Sequence, residues 1–169
     1  MPAPAPALPM PAGALPRLGY GTGTFWGHYR TGVPKTEVNP ALVAAIRSAI
    51  AAGVRHIDCA EMYGSELSVG EGIRQAIAAG EITRPELWVT SKALNESKES
   101  AATLRAACAG SLQRLGLEYL DLYFCHRPDP DTPMVETIEA MDILVRQGKI
   151  LYWGTSEWTA QEIEEAKGI

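Results

Sequence analysis

Hydrophobic and polar positions along this chain follow two alternating rhythms. LGYGTGTFWG at 18–27 reads as a short strand running into a glycine-rich turn, and four further apolar-rich runs have strand length: VRHID at 54–58, ELWVTSK at 86–92, EYLDLYFC at 118–125 and KILYWGT at 149–155. Between them lie longer stretches whose apolar residues recur three or four positions apart, the spacing of a helix with one buried face. In the first of these Leu42, Val43, Ile46, Ala49 and Ile50 share a face, Asn39 is the cap, Pro40 takes the first turn and Gly53 is the stop. An Asn side chain accepts from the free N–H groups at a helix start, and proline lacks an N–H that would go unpaired there. The second helix is predicted over Ser65 to Ala79, before Gly80, and the third carries Leu104, Cys108, Leu112 and Leu115 before Gly116. Thr132 and Pro133 open a fourth, with Ile138, Met141, Leu144 and Val145 as its buried stripe. Thr159 and Glu162 form a capping box that starts a fifth. The segment His28 to Val38 is polar and reads as loop.

Strand and helix thus alternate five times, with strand ends at Asp58, Thr90, Phe124 and Gly154 about 30 to 34 residues apart. Such spacing fits parallel strands joined by right-handed helical crossovers. Periodicity alone leaves two architectures, an open doubly wound sheet or part of a (β/α)8 barrel. The polar side chains at the strand ends favour the barrel. Asp58 ends the second strand, Lys92 ends the third, His126 follows the fourth and Ser156 follows the fifth. Parallel strands put all their C-terminal ends at one edge; a barrel curls that edge around a common mouth, whereas an open sheet spreads the same groups in a row. Taken singly, such residues are ordinary turn or surface positions, and His28 and His56 read as structural. Their joint placement at successive strand ends is what singles them out.

Composition narrows the partners. The chain has 169 residues, 46% hydrophobic and 21% charged, enough for one domain with a substantial core. A net charge of -5 at pH 7 supplies no basic footprint, so nucleic acid is not expected. No apolar run reaches the roughly 18 residues of a membrane span. Cys59, Cys108 and Cys125 are odd in number and lack CxxC spacing, which suits reduced thiols in a cytoplasmic protein better than disulfides or a zinc site. Residues 1–17, MPAPAPALPMPAGALPR, place a proline at nearly every second position and predict a disordered, extended tail. Residues 18–169 are left as the folded part.

Five segments together resemble the aldo-keto reductases: GYGTG at 19–23, HIDCAEMYG at 56–64, WVTSK at 88–92, LEYLDLYFCHRPDPDTP at 117–133 and RQGKILYWGTSEW at 146–158. Within them, HRPDPDTPMVETIEAM and YWGTSEW are similar to the potassium-channel β-subunit branch of that family. The resemblance implies a (β/α)8 barrel, of which these residues supply about five parallel βα units, and NADPH-dependent reduction of aldehydes and ketones to alcohols. It implies a catalytic set of Asp58, Tyr63, Lys92 and His126. A phenol is a poor acid at neutral pH, so a proton-donating Tyr63 needs a cation nearby. Lys92 would place that charge beside the phenolate, and Asp58 would hold the ammonium. His126, as neutral imidazole, would orient and polarise the substrate carbonyl. Gly21, Thr22, Gly23, Asp58 and Ser156 would border the cofactor, and Trp26 and His126 the small-molecule carbonyl substrate, with Phe25 and Tyr29 on the rim. Where the family usually has Asn or Arg after the serine, this chain has Glu157.

Complete barrels of this kind take ~250 residues. The family's later strands carry further cofactor contacts, and the expectation is of a chain truncated after the fifth unit. A second functional reading follows, a catalytically silent module that needs a partner to complete the barrel, with self-association through open edges. A third, an open flavodoxin-like binder of a phosphorylated ligand, requires a phosphate-cradling turn after the first strand, and GYGTG supplies half of one.

Overall fold

The computed structural model describes residues 15–94 and 100–169; the expected tail therefore lies outside the described residues as far as position 14. Among the described residues, five strands form one parallel sheet: β1 (Tyr20–Gly21), β2 (His56–Asp58), β3 (Trp88–Ala93), β4 (Leu120–Cys125) and β5 (Ile150–Thr155). Their order in the sheet is their order in the chain. A doubly wound sheet reverses order at a switch point, whereas a barrel wall adds each strand beside the last. This sheet does the second. The helices between and after the strands are α1 (His28–Thr31), α2 (Pro40–Ala51), α3 (Glu66–Ala78), α4 (Ala101–Leu115), α5 (Met134–Arg146) and α6 (Ala160–Lys167).

Capping chemistry sets several boundaries where the sequence pattern places them. The Asn39 side chain accepts from the N–H groups of Ala41 and Leu42, at 3.0 and 3.4 Å, with Pro40 in the first turn. Thr159 and Glu162 close a reciprocal box at the start of α6, and α4 ends on Gly116 in the left-handed conformation, φ 64°.

The sheet has two unlike faces. Alternation in β4 sends Asp121, Tyr123 and Cys125 outward, where they are fully buried, and turns Leu122 and Phe124 inward, where they are half-buried. Tyr152 of β5 faces inward too and remains exposed, although its ring stacks on that of Trp88 with centroids 5.6 Å apart and planes 7° from parallel. The hydrophobic core thus lies between the outer face of the sheet and the helices, with Ile46, Ile57, Val69, Val89, Leu104 and Met141 at its centre.

The structure departs from the sequence pattern in two places. His28 to Thr31, expected as loop, form a single helical turn between Gly27 and a left-handed Gly32; four residues are too few to show a helical period. The first strand is short, as expected: two residues that run into the glycine turn after Gly21. In α5 the buried stripe is Thr137, Ala140, Met141 and Leu144, not the expected set: Ile138 sits on the flank and Val145 is exposed. The helix begins at Met134, so Pro133 is its cap, and the Thr132 hydroxyl donates to Asp129 at 2.9 Å.

Candidate active site

Register decides which side chains share the inner face. Asp58 lies opposite Thr90, and Lys92 is two residues further along the same face of β3. The Lys92 ammonium is largely buried. It donates to Asp58 Oδ1 at 2.6 Å and to the carbonyl of Cys59 at 3.0 Å. The same nitrogen lies 5.0 Å from the centroid of the Tyr63 ring. Tyr63 closes a one-turn 3-10 helix (Glu61–Tyr63), after which Gly64 reverses the chain at φ 66°, a conformation that favours glycine. That turn brings the phenol back over the end of β3. The His126 ring, just beyond β4, meets the Tyr63 ring edge to face, centroids 5.7 Å apart and 84° between planes. Asp58, Tyr63, Lys92 and His126, spread over 69 positions of sequence (from 58 to 126), therefore form one cluster at the C-terminal edge of the sheet.

The glycine turn after β1 is built against this cluster. A Cβ on Gly23 would sit 3.0 to 3.3 Å from three atoms of the Tyr63 ring, so any other residue there would press the ring away by a few tenths of an ångström. Thr22 is fully buried; its N–H and its hydroxyl both donate to the Asp58 carbonyl at 3.0 Å, and its hydroxyl pairs with that of Ser65 at 2.8 Å. Its side chain thus locks the turn onto the end of β2. Gly21 is exposed, with open space wherever a Cβ would point. Ser156 is half-buried at the far side of the sheet, and its N–H donates to the Cys125 carbonyl at 3.1 Å. Trp26 packs partly against the core, and its indole N–H donates to the Tyr20 hydroxyl at 2.8 Å. Phe25 and Tyr29 are strongly exposed beside it, and the Tyr29 hydroxyl donates to the Gly23 carbonyl at 2.9 Å.

Supporting groups surround the cluster. The His56 Nε2 is 2.8 Å from the Thr90 hydroxyl, and burial holds the imidazole below its ordinary pKa, with Asp58 opposing and Lys92 reinforcing that shift. Cys59 is fully buried, its thiol directed at the Thr90 carbonyl, and burial pushes its pKa well up. All three cysteines are free and buried. Behind Lys92, on the outer face, the buried Glu66 accepts from the Ser91 hydroxyl and from Arg114 Nε, each at 2.6 Å. This acid at the first turn of α3 escapes sequence reading, because nothing in a helix-opening Glu announces partners 25 and 48 residues away. A similar bridge holds Asp121, which accepts from Arg84 at 2.7 Å and from the Val89 N–H at 2.8 Å.

The family profile described as "Aldo/keto reductase family" matches residues 17–169. The chain belongs to the aldo-keto reductase family. Among individual aldo-keto reductase relatives, an uncharacterized oxidoreductase of Bacillus subtilis is 40% identical over 134 residues, covering 79% of this chain and 47% of that protein. A probable voltage-gated potassium channel subunit beta of rice is 37% identical, covering 76% of this chain and 40% of its own length. The solved aldo-keto reductase of Bombyx mori, in complex with NADP, superposes with a TM-score of 0.78 at 34% identity over 91% of this chain and 50% of that one. This aldo-keto reductase chain thus spans about half the length of the relatives it matches, and its five strands correspond to part of their barrel.

Proposed function

We propose that this site, in a completed barrel, reduces aldehydes and ketones to alcohols with NADPH, Tyr63 acting as the general acid. One observation carries the reading: the buried ammonium of Lys92 is held by Asp58 at 2.6 Å while standing 5.0 Å from the centroid of the Tyr63 ring. When a carbonyl oxygen takes the Tyr63 proton, a phenolate is left, and the Lys92 charge stabilises it. Asp58 and the Cys59 carbonyl keep that charge from drifting. His126, packed against the Tyr63 ring, borders the same space and orients the carbonyl toward the phenol.

Bound NADPH supplies the hydride. The residues present fit the reactive end of such a cofactor: Gly21 leaves open space after β1, and the half-buried Ser156 offers a hydroxyl at the opposite end of the same sheet edge, after β5. Gly23, beside the Tyr63 ring, lets the turn approach closely, and Trp26 would wall the substrate side. Three buried thiols suit the reducing conditions of the cytoplasm.

The half-exposed Leu122 and Phe124 and the exposed Tyr152 favour a second reading, a chain that must associate before it works. Its partner would pair the free edges of β1 and β5, a second copy included. Titration of the purified chain with NADPH, following nucleotide fluorescence alongside a mass measurement, separates the two. Micromolar binding by a monomer removes the need for association. Binding that rises with the dimer supports it, and a folded protein that binds nothing at any concentration sinks the reductase reading. Tyr63→Phe is expected to keep NADPH affinity and to slow reduction of an aromatic aldehyde by about 10²-fold or more. An unchanged rate would remove Tyr63 from the chemistry.

A further inference from the structure

Two loops leave the C-terminal edge side by side, one carrying His126 after β4 and the other carrying Ser156 after β5. Backbone bonds anchor both at the root: the His126 N–H donates to the Ala93 carbonyl at 3.3 Å and the Ser156 N–H to that of Cys125 at 3.1 Å. The next residue on each loop is charged, Arg127 on the first and Glu157 on the second, and their side chains form an ion pair, Arg127 Nη1 donating to Glu157 Oε2.

Glu157 also has an unusual backbone. Its φ is 60°, and among the described residues it is the one non-glycine with a positive value. A side-chain Cβ crowds the backbone in that region, so such residues persist where the surroundings hold them. Here the surroundings are Ser156 in the ladder on one side and, on the other, Trp158, which packs partly against the core ahead of the α6 cap. The left-handed turn swings the Glu157 carboxylate sideways to Arg127. Resting on the proposed cofactor role of Ser156, we propose that the Arg127–Glu157 pair is a positioning strap. It ties the residue after His126 to the residue after Ser156, and so fixes the serine hydroxyl relative to the histidine ring. Neither residue of the pair touches the reacting atoms.

Both side chains are more than half exposed, 54% and 59%, so the strap is weak and sensitive to salt. Exposed pairs shift equilibria by about 1.5- to 5-fold, and the strap belongs in that range. Amide hydrogen exchange of the full chain without cofactor tests it directly. Glu157→Gln and Arg127→Met are each expected to speed exchange at Ser156 and His126 about three-fold, leaving the amides of β3 unchanged. The charge-reversed double variant, Arg127→Glu with Glu157→Arg, should restore protection. Glu157→Gly supplies a control, since it removes the charge and relieves the backbone: thermal stability should hold or rise while protection still falls. The dissociation constant for NADPH is expected to follow the same pattern, rising about three-fold in the single variants and recovering in the reversed pair. Unchanged exchange in both single variants, or failure of the reversed pair to recover, overturns the strap. If exchange responds but the parent chain binds no NADPH, the tie between the loops stands and the reductase reading falls.

Discussion

Replacement of Glu66 by leucine gives the sharpest test of how the catalytic face is held up from behind. The side chain is 1% exposed and bridges three elements: α3, which carries it, β3 through Ser91, and α4 through Arg114. Leucine has similar bulk, so the cavity left is small and the polar losses dominate. The first loss is the Ser91 hydroxyl, fully buried and left without its acceptor, at about 1–3 kcal/mol. The second is the Arg114 guanidinium. It is a third exposed and has the Glu61 carboxylate 3.8 Å away, so water and that second acid screen it, and its share is about 1 kcal/mol. Relief of a desolvated carboxylate offsets part of the sum. The net expectation is a loss of about 2–3 kcal/mol, which at a typical urea slope of about 2 kcal/mol/M lowers the unfolding midpoint by roughly 1–1.5 M. Urea titration followed by tryptophan fluorescence measures it. Adding Arg114→Leu should produce a loss smaller than the sum of the single effects, because the guanidinium no longer needs the acid. A midpoint within about 0.3 M of the parent, or strict additivity in the double variant, would refute the bridge as a unit.

Two further outcomes follow from single contacts. Gly70→Ala sets helix propensity against packing: alanine should gain about 1 kcal/mol in α3, but its Cβ would stand 2.3 Å from the Leu115 carbonyl oxygen of α4. Backbone cannot yield there as a flexible side chain can, so a net loss of about 1–3 kcal/mol and a lower melting temperature are expected, whereas a raised one would show that the helices separate freely. His56 carries a pH signature. Its folded pKa lies below the ordinary 6.5, chiefly through burial, with Asp58 and Asp121 opposing and Lys92 assisting, so the folded state resists the proton more than the unfolded chain does. That contribution is intact above 6.5 and is lost as pH falls through 6.5 toward the lowered value. His56→Gln should therefore flatten the decline in urea midpoint between about pH 7.5 and 5, and an unaltered decline would place the titration elsewhere.

Much of the fold is legible in the sequence, for a physical reason. Strand–helix alternation, the Asn39 and Thr159 caps and the α2 stripe are local signals, and the structure follows them. Asp58, Lys92 and His126 are legible as neighbours because parallel strands deliver their ends to one edge, whatever lies between; Tyr63, in the turn after β2, joins them through the family resemblance. What escapes is chemistry that depends on exact packing. The α5 stripe shifts by a position because several faces of that helix carry apolar residues, and only contact with α4 and β5 selects among them. The Glu66–Ser91–Arg114 bridge joins three elements through side chains that are individually commonplace. The bonds that tie Thr22 to the Asp58 carbonyl and to Ser65 are likewise invisible in the sequence, because the partners lie 36 and 43 residues away. Glu157 is visible in the sequence as an oddity, and its partner Arg127 is not.

The strand order has a consequence for how this polypeptide comes to be. Each strand pairs with its immediate predecessor, so every new partnership closes a segment of similar, modest length, and the entropic penalty of closure is nearly the same at each step. A growing chain emerging from the ribosome need never wait for a distant partner: each βα unit can dock on the edge just completed. Assembly of the sheet is then vectorial. The acid–ammonium pair lies on β2 and β3, both of which precede in the chain the strand that delivers the histidine.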